Sequence, residues 1–224
     1  SFQSAVDEPR PPKRVAFSPD LGLGPVEPEI AEICATAAAR FEELGAVVEE
    51  ATPDFGDAIE CFHVLRAAQM VTAFDTLLAE KRELFKPDLV WNIEQGLVLD
   101  ASAIGRAERA RAALYHRVVD FFEDYDLLLS PTVIVPPFDH EKRYVDEVAG
   151  QRYDNYLDWL YLTFVVTLTA CPVLSLPCGF SAGELPVGLQ VIAPPRGDHA
   201  LLSASALAEE MFGFAGQLPI DPRP

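Results

Sequence analysis

The sequence predicts an α/β protein with a mixed central sheet flanked by helices on both faces. Three observations predict it. Apolar runs of strand length recur at residues 14–17, 46–50, 126–130, 173–178 and 187–192. The stretches between the first three carry helical periodicity and helix end signals, so strands and helices alternate. The 224 residues, 50% of them hydrophobic, suffice to bury a substantial core.

The elements follow in order. Residues 1–13, SFQSAVDEPRPPK, are polar and Pro-rich and are expected to form an extended lead-in. Residues 14–17 read as a strand and 18–25, with Gly22 and Gly24, as a tight turn. Pro28 stands where a helix begins, and the helix should run to Leu44 with Gly45 as its stop. Residues 46–50 form a second strand, and a strand–helix–strand unit of this length is a parallel crossover. Asp57 is a candidate N-cap for a long helix reaching Phe85, where Pro87 follows. Phe62, Leu65, Val71, Phe74 and Leu78 supply its apolar face.

A shorter helical or irregular segment is expected around residues 91–97. Ser102 is a candidate cap for another helix, with Ile104, Leu114, Val118 and Phe121 inward and Arg106, Arg109 and Arg111 outward. DLLLSPT at 126–132 predicts a buried strand ending in a rigid turn, and 131–143 a loop. Residues 151–169 include a helix carrying Tyr153, Tyr156, Trp159 and Phe164. The runs at 173–176 and 187–192 then read as strands buried on both faces, and 198–212 as a closing amphipathic helix. No repeat or interior linker interrupts the chain, so residues 1–224 are expected to form part of one domain. Five central-looking strands need flanks; covering helices or a further segment of sheet both meet that need.

Charge and composition exclude several functions. A formal net charge of −18 disfavours a nucleic-acid or anionic-membrane partner. Residues 159–183 carry no charge, yet Pro172 and Pro177 would break a spanning helix and no basic flank anchors it, so two successive buried elements are expected. Cys34, Cys61, Cys171 and Cys178 form no C-x-x-C pair and read as buried free thiols of a reducing cytoplasm. The chain opens without a signal peptide and without an initiator Met, so Ser1 reads as a truncation or processing point.

Residues with catalytic potential are few. No G-x-S-x-G elbow occurs; Ser181 reads as a turn hydroxyl and Ser175 as a small residue within a sheet. His63, His116, His140 and His199 lack a catalytic or metal-ligand spacing, and no metal site is expected. DLGLGP at 20–25 lacks the third Gly of a dinucleotide fingerprint and is followed by Glu27 and Glu29, so it reads as a turn and no cofactor site. Trp159, Thr163 and Thr167 recur at spacing four and would face the Pro131–Thr132 turn. These five are the candidate substrate-binding residues, lining a cleft for an apolar acyl group; core packing is the alternative role of each.

RVAFSPDLG at 14–22 with PVEPE at 25–29, DLLLSPT at 126–132, LTACPVLSLPCGF at 168–180, LPVGLQVI at 185–192 and RGDHALL at 196–202 occur in one order. In that order they resemble the C-terminal half of the amidase-signature family of Ser-dependent amide hydrolases. The resemblance implies an enzyme that hydrolyses a carboxylic amide to acid and ammonia or amine with neither metal nor organic cofactor. It also implies a Ser nucleophile, a second Ser in a cis peptide, a Lys base and a Gly/Ser-rich oxyanion loop. These have no counterpart here, so no catalytic residue is assigned. The expected partners are an N-terminal half of the same enzyme, or a complementary chain, and a small-molecule amide; a homo-oligomer stays open. A scaffold or interaction domain derived from the fold is the alternative, and a Lys and a G-G-S-S-G-type segment upstream of Ser1 would decide for the enzyme. The family often has N-L-T-G where this chain has Thr167-Leu-Thr-Ala170. In the glutamine-dependent branch an acidic residue binds the glutamine amino group; Leu160 aligns near that place, which argues against that branch, although one residue of slippage would bring Asp158 closer.

Overall fold

The computed structural model describes residues 1–214 and 216; the remainder of the predicted 1–224 span lies outside the described residues. Among the described residues five strands form the main sheet: β1 (Arg14–Phe17), β2 (Val47–Glu50), β3 (Leu127–Pro131), β6 (Val173–Phe180) and β7 (Pro186–Ile192). Their order is β2-β1-β3-β7-β6. β1 pairs in parallel with β2 and β3, whereas β7 runs antiparallel to both β3 and β6. The sheet is therefore mixed, as predicted. A separate small hairpin joins β4 (Glu147–Val148) to β5 (Gln151–Arg152).

Strand alternation divides the core in two. Val15, Leu127, Leu129, Leu189 and Val191 point to one face, where α2 (Pro28–Ala39) and α7 (Asp198–Phe212) cover them. Ala16, Leu128 and Ile192 point to the other, under α3 (Ala58–Lys81), α5 (Ala101–Phe121) and α6 (Tyr161–Thr167). α4 (Pro87–Leu97) packs back along α3 around a satellite cluster of Met70, Leu78, Val90 and Ile93. Pro28 opens α2 as expected, and a 3-10 turn carries it on to Leu44, where Gly45 adopts φ 87°.

Several expectations are corrected. The lead-in is extended only after α1 (Phe2–Asp7): Ser1 and Ser4 form a reciprocal capping box, and buried Ala5 seats the helix against α7. α3 stops at Lys81 and a 3-10 turn continues to Leu84. Its deeply buried positions are Ala58, Cys61, Ala67, Met70 and Leu78, while Phe62, Leu65, Val71 and Phe74 are half-buried. Small residues lie deepest because two helices, α4 and α5, press on α3 at close range. Asp100, not Ser102, caps α5, its carboxylate accepting from the Ala103 amide at 2.6 Å. Arg106, Arg109 and Arg111 are exposed as predicted, although Arg111 Nε donates to the Leu168 carbonyl at 3.3 Å.

The 151–169 segment keeps only seven helical residues, α6. Upstream, Ala149 and Gly150 take φ 46° and 85° and turn the β4–β5 hairpin. The Asn155 side chain then accepts from the Leu157 and Asp158 amides and starts a 3-10 turn. The charge-free stretch 159–183 thus divides into α6 and β6, and among the described residues no helix is long and apolar enough to cross a membrane.

β6 departs furthest from expectation. It is the edge of the sheet rather than a strand buried on both faces. Val173 is 40% exposed and Ser175 is exposed, because the α3/α5/α6 layer covers β3 and β7 but ends before β6.

Candidate functional site

The bare flank of β6 lies beside a polar strip of the sheet. In the antiparallel register Ser130 stands opposite Gln190, and Gln190 opposite Ser175. Cross-strand partners face the same side, so these three form a row on the α6 face. Gln190 and Ser130 are buried, and Gln190 Nε2 donates to Ser130 Oγ at 3.0 Å and to the Leu162 carbonyl at 3.1 Å. One side chain therefore fastens α6 to the sheet.

The next row is Thr132, Gly188 and Pro177. Thr132 extends β3 by donating its amide to the Gly188 carbonyl at 3.0 Å. Its hydroxyl meets Ser175 Oγ at 2.7 Å, although the two belong to β3 and β6 with β7 between them. Gly188 makes this contact possible: a Cβ there would lie 2.8 Å from Ser175 Oγ and 3.0 Å from Thr132 Oγ1. Two hydroxyls bonded to each other over a bare glycine form a small polar platform at the open edge, able to accept from and donate to a bound group.

The five candidate residues from the sequence do not converge on one hydrogen-bonded cluster. Thr132 is part of the platform. Pro131 is buried at the end of β3 opposite Leu189, on the α2/α7 side. Trp159 is half-buried in the 3-10 turn before α6 and packs edge-to-face on Phe138, ring centroids 5.5 Å apart. Thr163 Oγ1 donates to the Leu160 carbonyl at 2.9 Å and Thr167 Oγ1 to the Phe164 carbonyl at 2.6 Å. Their hydroxyl protons are thus used within the helix. The hydroxyl oxygens keep acceptor capacity, and Thr167 is exposed.

A second polar group was missed in the sequence. His63 Nε2 of α3 lies 2.8 Å from Asp158 Oδ1, and Asp158 Oδ2 accepts from Asn155 Nδ2 at 2.6 Å. The imidazole stands edge-on to Phe164, which itself stacks on Phe62 at 4.2 Å. The residues lie far apart in the chain, so no local spacing announces the pair. Among the described residues no serine or cysteine hydrogen-bonds to His63, so the pair anchors the entry to α6 and forms no triad. Asp158 has its carboxylate committed to His63 and Asn155. Also among the described residues, no group of three or more His, Cys, Asp or Glu side chains is placed to hold a metal ion.

The turn before α2 is held by the same layer. Leu21 and Gly22 take φ 55° and 69°, and the Gly22 amide donates to Asp20 Oδ1 at 2.7 Å. Tyr161 of α6 donates its hydroxyl to the Pro25 carbonyl at 2.8 Å, and burial pushes its pKa above the ordinary phenol range. The 20–25 segment is thus a turn locked by a tyrosine.

Comparison with known proteins decides the family. The family model described as Amidase matches residues 1–202. The chain belongs to the amidase-signature family. An acylamidase of Rhodococcus erythropolis is 34% identical over 211 residues, covering 93% of this chain and 44% of the relative. A glutamyl-tRNA(Gln) amidotransferase subunit of Moorella thermoacetica is 30% identical over 252 residues, covering 96% of this chain and 50% of the relative. Among solved structures, a bacterial aryl acylamidase of the amidase-signature family superposes with a TM-score of 0.85 at 24% identity, over 96% of this chain and 46% of that one. A 6-aminohexanoate cyclic dimer hydrolase gives a TM-score of 0.75 at 20% identity. These likenesses show the fold. The amidase-signature chain spans about half the length of the curated relatives it matches.

Proposed function

We propose that this chain is the C-terminal half of an amidohydrolase that converts a carboxylic amide to the acid and ammonia or amine. It supplies part of the central sheet and one wall of the acyl pocket, while the Ser nucleophile, the second Ser and the Lys base lie on the other half. The observation that carries the proposal is the open flank of β6, where the Thr132–Ser175 platform lies beside a strand edge that is unpaired among the described residues. A complementary half, in the same polypeptide or a second chain, would extend the sheet from β6 and close a cleft over the platform. Trp159, Thr163 and Thr167 would contribute the α6 side of that cleft. Four unbridged cysteines favour a cytoplasmic setting.

The acylamidase relative supports an acyl amide as substrate class. The test uses the whole protein that carries this chain with an anilide such as 4-nitroacetanilide. Release of 4-nitroaniline and acetate is expected, and Thr132→Val should raise KM more than it lowers kcat, because a pocket wall binds ground and transition states alike. The 224-residue chain by itself should be inert. Turnover by that chain alone, with a fluorophosphonate probe attached to one of its own serines, would overturn the proposal.

A further inference from the structure

On the side of β6 facing away from Ser175, two thiols meet. Cys34 of α2 and Cys178 of β6 are 144 positions apart, yet their Sγ atoms lie 4.0 Å from each other. Both side chains are buried, and Cys34 Sγ also approaches the Gly188 carbonyl at 3.7 Å. Two local features create the pair. A Cβ on Gly179 would lie 2.7 Å from Ile33 Cγ2, so only glycine lets α2 settle this close to the strand. The ladder also slips here: Pro177 pairs with Gly188 and Gly179 with Val187, leaving Cys178 without a cross-strand partner. A bulged residue is free of the register that fixes its neighbours, and a small backbone adjustment can shorten the gap to a bond of about 2 Å.

Access is provided by a surface groove of about 390 Å³ between α2 and the end of β6, lined by Glu32, Ile33, Thr36 and Gly179 and with Cys178 in its wall. Cys34 lies deeper, fully buried. Its hydrogen bond with Cys178, and then burial, hold its thiol above the ordinary range, so it stays protonated while its neighbour meets solvent oxidants.

We propose that Cys34 and Cys178 are a peroxide-responsive modification site that closes to a reversible disulfide between α2 and β6. Cys178 sulfur attacks one oxygen of hydrogen peroxide; the O–O bond breaks, giving the sulfenic acid and one water. Cys34 sulfur then displaces the hydroxyl from Cys178 sulfur, its thiol proton leaving with that hydroxyl as the second water. Two thiols and one peroxide become one disulfide and two waters. The inference does not rest on the amidohydrolase proposal and holds if that proposal fails.

The test exposes the folded protein that carries this chain to hydrogen peroxide, quenches with acid, alkylates free thiols and maps non-reduced peptides by mass spectrometry. A peptide joining the Cys34 and Cys178 segments, two hydrogens lighter than its parts and released by dithiothreitol, is the expected result. In Cys34→Ser the cross-link should vanish and a dimedone adduct should accumulate at Cys178; in Cys178→Ser and Cys178→Ala neither should form. Three results would overturn the proposal: both thiols still free after peroxide, Cys178 carried to the sulfinic acid while Cys34 stays free, or linkage to Cys61 or Cys171 instead.

Discussion

Replacing Gly96 by Ala sets two effects of opposite sign against each other. Gly96 lies inside α4, where Ala is favoured by about 1 kcal/mol on helix propensity alone. The site, however, has no room. A Cβ would lie 2.2 Å from the Ala67 carbonyl oxygen, 2.7 Å from its carbon and 2.5 Å from Val71 Cγ2. Two of these are backbone atoms in the middle of α3, held by its own hydrogen bonds, so α4 must withdraw by about 1 Å to restore ordinary contact. That withdrawal loosens the cluster of Met70, Leu78, Val90 and Ile93 between the two helices. Overpacking of this kind costs about 3 kcal/mol at the upper end of its usual range, so the net loss should be about 2 kcal/mol. Gly105, inside α5, is the control: a Cβ there meets only Arg109 Nη1, at 3.5 Å. Urea unfolding of the whole protein, followed by helical ellipticity, should give a lower midpoint for Gly96→Ala and a higher one for Gly105→Ala, with similar m. A midpoint that stays level or rises in Gly96→Ala would refute the contact between α3 and α4 described above.

Gln190→Leu removes the donor that serves Ser130 Oγ and the Leu162 carbonyl, two buried hydrogen bonds that join β7 to β3 and to α6, a loss of about 2 kcal/mol in urea unfolding. A loss under about 1 kcal/mol would mean that α6 is held by packing alone. Ala170 takes φ 56°, in the left-handed region that favours glycine. Ala170→Gly should therefore stabilise by about 0.5–1 kcal/mol, the backbone relief exceeding the added freedom of the unfolded chain, and an earlier unfolding midpoint would contradict it. Stability should also fall in alkali. The thiol of Cys34, through its bond to Cys178 and burial, and those of Cys61 and Cys171, through burial, are held above the ordinary range. Unfolded, they lose protons near pH 8.5 while the folded chain retains them, so stability present below that pH is lost as pH rises above it. The urea midpoint should drop between about pH 7.5 and pH 9.5, and a flat profile would show that the thiols ionise in place.

Elements with strong local punctuation were legible in the sequence. Pro28 and Gly45 bracket a helix and its 3-10 extension, and the apolar run before Thr132 is β3, buried throughout. Position within the sheet was not legible. β6 and β7 look alike as apolar strings, yet β7 is central and β6 lies at the edge, because pairing order is set by distant contacts. The helix around Trp159 is shorter than its apolar spacing predicts, because that spacing continues through a turn that the Asn155 side chain imposes. Sequence pattern points to Thr132 but makes Ser175 a small residue within the sheet; only the register shows that Gly188 leaves the two hydroxyls free to meet. The His63–Asp158 and Cys34–Cys178 pairs join residues from distant segments, and no periodicity encodes such meetings.

The two ends of the main sheet differ in how they meet water. β2 is short, ends in Glu49 and Glu50, and carries like charges that repel any incoming strand. β6 runs for eight residues, Val173–Phe180, without one charge, and only Pro177 interrupts its donors. One rim is built to stay bare and the other is not. Produced alone, this polypeptide is expected to join copies of itself rim to rim through β6, and its behaviour in solution would be governed by association rather than by folding. A charged residue at Val173, on the exposed side, should keep such material dispersed, and the same charge should weaken the union with a complementary half.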